Sequence, residues 1–270
     1  MLVIIGSASL AYPYVNFWLA ERNQSYVVQQ YNDSLEKLTA AQLQDEWDKA
    51  VAYNETLSVN SLYDPFGAQV TEMDEEYTSL LNLDDNGIMS RIKIPKIDVD
   101  LPVFHGTSQT VLKGGVGHME GSALPVGGEG THAVLTGHTG LTTAKLFTDL
   151  RELEIGDEFY IYTLNQVLAY RIDQITTVEP TDIDALYPVE GEDHVTLLTC
   201  TPYGVNSHRL LVRGERVPYT PEEIEERIND TDSLITWDTW LLIAGIALLV
   251  LFILIFVVRR IRARRKRGDN

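Results

Sequence analysis

The stretch His194-Val195-Thr196-Leu197-Leu198-Thr199-Cys200-Thr201-Pro202-Tyr203-Gly204-Val205-Asn206-Ser207-His208-Arg209-Leu210-Leu211-Val212-Arg213-Gly214 reads as strand, loop, strand. β-Branched and aliphatic residues fill 195–199 and 209–212, and Pro202, Gly204, Asn206 and Ser207 punctuate the segment between them. If the two runs pair antiparallel, Cys200 closes the first strand directly against Arg209, which opens the second. Opposed Cβ atoms in such a pair lie ~4.5–5.5 Å apart. Cys200 is the only cysteine in the 270 residues, so it has no internal disulfide partner. A thiol beside a guanidinium is electropositive, which favours the reactive thiolate, whereas burial among apolar groups disfavours it. The plainer readings are a small buried hydrophobe for Cys200 and a surface strand residue for Arg209.

A second stretch shifts that balance. In Thr131-His132-Ala133-Val134-Leu135-Thr136-Gly137-His138-Thr139-Gly140 a short apolar strand runs into His138, flanked by glycines. A histidine in that position is placed for exposure and orientation rather than packing. His105, His118, His132, His194 and His208 lack a matching context for a ligand or a nucleophile's partner, and no His or Cys pair has zinc spacing. No cofactor is expected.

Leu197-Leu198-Thr199-Cys200 with Thr196 before it, the arginine nine residues on and the preceding Thr136-Gly137-His138 together resemble the sortases of Gram-positive bacteria. Thr199-Cys200-Thr201-Pro202-Tyr203-Gly204 with Asn206, His208 and Arg209, and Ala144-Lys145-Leu146-Phe147 after the histidine, are similar to class C, the pilin-polymerising type. The likeness covers about residues 60–217. Class C members commonly carry Arg after the catalytic His, where this chain has Thr139, a difference that bears on acceptor-side contacts.

The resemblance implies a cysteine transpeptidase that recognises a Leu-Pro-Xaa-Thr-Gly-like sorting signal, cleaves after Thr and passes the acyl group through a thioester to an amine. Cys200 would be the nucleophile, His138 the acid and base, and Arg209 the donor to the oxyanion or substrate backbone. For class C the implied acceptor is a pilin lysine and the product a pilus. Asp64-Pro65-Phe66 resembles the Asp-Pro-aromatic lid of that class, which implies Asp64 paired with Arg209 and Phe66 set over Cys200. An exposed ion pair contributes only about 0–1 kcal/mol, so such a lid is openable. The alternatives are a housekeeping-type sortase anchoring surface proteins to cell-wall peptide, a cysteine hydrolase using water, and a silent binding module with Cys200 buried.

Around these motifs the chain is organised in segments. Residues 1–20 lack charge and are expected to span the membrane or direct export; a signal peptide or a clipped helix fits the same residues. Residues 24–58 carry Val27, Tyr31, Leu35, Leu38, Leu43, Trp47 and Val51 at helical spacing. This amphipathic segment is expected to pack on the catalytic domain, with coiled-coil dimerisation as the alternative. Residues 59–86 form the lid loop and connector.

Residues 87–217 form the catalytic domain. Runs at 88–94, 99–104, 133–136, 158–164, 167–178, 195–199 and 209–217 have strand composition. Evenly spaced short strands indicate a mainly β domain, a barrel or sandwich. That agrees with the closed sortase-type β-barrel of about eight strands, with N-terminal helices and flanking transmembrane segments. Short helices are expected at 108–113 and 143–150, and Gly114-Gly115-Val116-Gly117 reads as a turn.

Residues 218–236 are an acidic linker, 237–258 a transmembrane helix and 259–270 a basic tail. Trp237 and Trp240 precede the apolar run and seven basic residues follow it, which places the tail in the cytoplasm and the catalytic domain outside a Gram-positive cell. The net charge is −18, and −24 without the last twelve residues. So acidic a body excludes nucleic-acid binding by charge. The expected partners are a pilin or surface protein with a C-terminal sorting signal, an amine acceptor and the lipid bilayer.

Overall fold

Strand-forming runs separated by Gly- and Pro-containing turns close into one barrel in the computed structural model, which describes residues 2–57, 62–67, 72–84, 86–141 and 144–219. The strands are β1 (Ile88–Ile94), β2 (Val99–His105), β3 (Val116–His118), β4 (Thr131–Thr136), β5 (Glu158–Thr163), β6 (Gln166–Val178), β7 (Asp193–Thr201) and β8 (His208–Val217). Their order around the barrel is β1-β2-β3-β4-β7-β8-β6-β5, and β1 pairs with β5 to complete it. Strand alternation sorts the side chains. Ala133, Leu135, Val195, Leu197, Leu210 and Val212 enter the main core, while Val134, Leu198 and Leu211 belong to a second apolar cluster on the other face.

Seven of the eight strands fall on the runs anticipated from sequence, and β3 does not. Its glycines read as a turn, but they mark close backbone approach. A Cβ on Gly117 would come within 2.4 Å of the Gly106 carbonyl, and one on Gly115 within 2.8 Å of the Pro102 carbonyl. The helix expected at 108–113 is present as a short helix, Gln109–Gly114. The one expected at 143–150 is replaced by turns and the 3-10 turn Leu150–Glu152, with Leu146 at a φ of 42°, incompatible with a right-handed helix.

The N-terminal segment forms two helices, α1 (Leu2–Leu35) and α2 (Ala40–Thr56). α1 runs unbroken through residues 20–24. Thr39 starts α2 with a capping box, its hydroxyl accepting from the Gln42 amide and the Gln42 side chain accepting from the Thr39 amide. The buried stripe takes Val28 in place of the expected Val27, then Tyr31, Leu43 and Ala50. Tyr31 donates to the Met89 carbonyl at 3.3 Å and accepts from the Leu164 amide at 2.8 Å, and Asn54 bonds both backbone groups of Leu124. This stripe is thus occupied by the barrel, as expected for a segment that packs on the catalytic domain.

A short helix, α3 (Glu75–Ser79), ties the connector down. Tyr77 is fully buried, and its hydroxyl meets His118 Nδ1 at 2.9 Å and accepts from the Gly106 amide at 3.0 Å. Burial holds His118 near pKa 4 and His132 likewise, so both are neutral core histidines. Among the described residues no helix is long and apolar enough to cross a membrane. The span expected at 237–258, the tail at 259–270 and all but the first two residues of the linker lie outside the described residues.

Candidate active site

β7 and β8 pair antiparallel, and their register sets Cys200 directly against Arg209, as the sequence spacing predicts. Arg209 is a buried residue, 8% exposed. Its Nη1 donates to the carbonyls of Asn206 at 3.1 Å and His208 at 3.0 Å, which fixes the guanidinium against its own loop. Its remaining edge is taken by the lid.

His138 reaches the same place from β4, which runs parallel to β7 with Thr136 level with Leu198. Two further residues along each chain bring His138 alongside Cys200. Gly137 is clamped between them. Its amide donates to the Leu198 carbonyl at 3.1 Å and its carbonyl accepts from Thr199 Oγ at 2.8 Å. A Cβ on Gly137 would fall 2.7 Å from the Phe147 ring, so only glycine lets the turn sit this close. Thr199, adjacent to the thiol in sequence, therefore holds the backbone next to the imidazole. The motif around Cys200 does not by itself mark this role for Thr199, whose partner is 62 residues away in sequence.

The Asp64-Pro65-Phe66 segment covers these residues. Arg209 Nε donates to Asp64 Oδ1 at 2.7 Å and Nη2 to Oδ2 at 2.8 Å, a bidentate pair with side chains 10% and 16% exposed. This is not the exposed pair anticipated from sequence. The two parallel N–H···O bonds fix the orientation of the lid on the guanidinium. The Phe66 ring lies 5.3 Å from the His138 ring and 5.2 Å from the Arg209 guanidinium carbon, and so covers the two groups flanking the thiol. Leu62, Tyr63 and Phe66 rest on Val134, Leu198, Leu211 and Met119. The Gly67 amide donates to the Asp64 carbonyl at 3.1 Å and closes the turn.

Of the two opposing influences on the thiol, the guanidinium and burial, burial is the larger. Burial pushes the Cys200 thiol above its ordinary value, Arg209 pulls it down, and Asp64 pushes it up again. Desolvation wins because the lid both excludes water and sets a carboxylate against the guanidinium. The closed site therefore holds a neutral thiol and not a thiolate. Burial, then the Lys113 ammonium, lower His138, so its imidazole is neutral too.

Among the described residues no group of three His, Cys, Asp or Glu side chains is arranged to hold a metal ion. The arrangement can do acyl transfer through sulfur. A thiol and an imidazole lie at the ends of adjacent strands, with a fixed guanidinium beside them to meet developing negative charge.

Comparison with known proteins points the same way. Residues 92–217 match the family described as the Sortase domain. The sortase C crystal structure from Streptococcus pneumoniae is 45% identical, with a TM-score of 0.67, over 72% of this chain and 98% of that one. Sortase C-1 from Actinomyces oris is 49% identical, with a TM-score of 0.63, over 66% of this chain and 99% of that one. Sortase A of Bacillus anthracis is 26% identical over 80% of this chain and 91% of its own length.

Proposed function

The chain belongs to the sortase family of cysteine transpeptidases, and from that premise we propose that it polymerises pilins, cleaving a Leu-Pro-Xaa-Thr-Gly-like signal and transferring the acyl group to a pilin lysine. The observation that carries this reading is Cys200 in register with Arg209 beneath a bidentate Asp64. Likeness to sortases C supports the choice of pilins, since the pneumococcal structure bears on pilin substrate specificity.

The residues divide the work as follows. With the lid open, Cys200 Sγ attacks the carbonyl carbon of the signal's Thr and gives its proton to His138. Arg209, released by Asp64, donates to the oxyanion or the adjoining backbone. The C–N bond breaks as His138 protonates the departing amine, leaving a thioester. The incoming amine loses a proton to His138 as it attacks, and the thiolate leaves and is reprotonated. Fixed donors at an oxyanion are worth roughly 3–4 kcal/mol.

Mass analysis of products with and without an added lysine-like amine tests the transfer. An amide to the added amine is expected, and free acid alone would make the protein a hydrolase. We also propose that residues 237–258 span the membrane with the tail inside and the catalytic domain outside, on the charge asymmetry about that run. The uncharged segment 1–20 is a second candidate anchor. Protease added to wall-stripped cells should spare a tag after Asn270, and its digestion would reverse the orientation.

A further inference from the structure

On one face of the sheet β4 presents His132, Val134 and Thr136 in alternation, and β7 presents Thr196, Leu198 and Cys200 beside them. Val134 and Leu198 are part of the apolar floor on which Phe66 rests. Thr136, level with Leu198, is the polar residue on this floor nearest to His138 along β4. It is fully buried, and its hydroxyl has no hydrogen-bond partner among the described residues.

An unsatisfied buried hydroxyl is destabilising by about 1–3 kcal/mol, and such a group in a folded protein calls for a reason. The neighbouring threonines on β7 are satisfied: Thr199 donates to the Gly137 carbonyl, and Thr196 meets His132 Nε2 at 2.7 Å. Thr136 differs in lying two residues from His138, on the strand face that also carries Val134 and Leu198 of the cluster against which Phe66 packs. Two strand residues span ~7 Å, which is within two residues of the scissile bond for an extended peptide. Such a peptide, drawn over an apolar floor, brings backbone N–H and C=O groups that need partners.

We propose that Thr136 is a substrate-binding residue whose hydroxyl hydrogen-bonds a backbone amide of the peptide donor, within two residues of the bond that is cleaved. This rests on the reading of the chain as a transpeptidase acting on a peptide signal. A hydroxyl can donate or accept, so it serves either an N–H or a C=O. The closed lid leaves it unmet and the donor satisfies it, which favours exchange of lid for substrate.

The test uses the full chain carrying Asp64→Ala and Phe66→Ala, so that lid opening does not limit the comparison, with Thr136→Val or Thr136→Ser added. Turnover of a sorting-signal peptide is measured beside labelling of Cys200 by a small thiol reagent. Thr136→Val should lower kcat/KM about tenfold, mostly through KM, Thr136→Ser should stay within about twofold, and labelling should not change. With the lid residues intact, Thr136→Val should melt no lower than the unsubstituted chain, because no hydrogen bond is lost. Unchanged kcat/KM in Thr136→Val, or a lowered melting temperature, overturns the inference. If the lid-open parent itself fails to process the peptide, the transpeptidase reading falls and the inference falls with it.

Discussion

Arg209 faces Cys200 across the β7–β8 pair while both of its outward donors are held by Asp64, at 2.7 and 2.8 Å. The same guanidinium cannot serve a substrate until that carboxylate leaves. Occupancy of this one group thus links the position of the lid to the chemistry of the site.

Opening the lid should therefore raise reactivity. Asp64→Ala combined with Phe66→Ala is expected to speed labelling of Cys200 by a bulky thiol reagent by at least about tenfold, since a reagent that reaches only the open state reacts in proportion to its population. Hydrolysis of a free signal peptide should rise as well. A folded double variant that labels at the unsubstituted rate would show the loop to be a mere connector.

The pH dependence follows from the direction of the thiol shift. Burial and Asp64 raise Cys200 and Arg209 lowers it, so the thiolate fraction of the closed form at neutral pH is below that of a free cysteine. Alkylation by a small reagent should keep rising beyond pH ~8.5, the ordinary thiol value. In the double variant the two upward influences are weakened and Arg209 remains, so the midpoint moves down. Equal midpoints in the two proteins would contradict this account of the thiol.

Replacement of Arg209 or His138 separates positioning from chemistry. Either residue changed to Ala should lower turnover by about 10²–10⁴-fold, the span of single oxyanion donors and general acid–base groups. Arg209→Lys should recover only part of the loss, because Lys lacks the planar fork that meets two acceptors at once. Near-normal turnover by Arg209→Ala would remove it from the mechanism.

The catalytic strands were legible because β7 and β8 carry their hydrophobic pattern up to a turn rich in Pro, Gly, Asn and Ser, and the turn length fixes which residues face each other. β3 was hidden because its glycines answer to tertiary crowding at Gly106 and Pro102, and the same letters in isolation read as a turn. The ion-pair geometry at Asp64 and the protonation of Cys200 depend on burial beneath residues far away in sequence. Thr136 and Thr199 stand in the motifs, but their roles carry no local signal: one is notable for a partner it lacks among the described residues and the other for a partner on the neighbouring strand's end.

The most direct measurement is mass spectrometry of the protein after incubation with a Leu-Pro-Xaa-Thr-Gly peptide. The account predicts an adduct of the peptide's acyl portion on Cys200, bound as a thioester, discharged by hydroxylamine and absent in Cys200→Ala. A folded protein with accessible Cys200 that never acquires the adduct, with the lid residues intact or replaced, would contradict it.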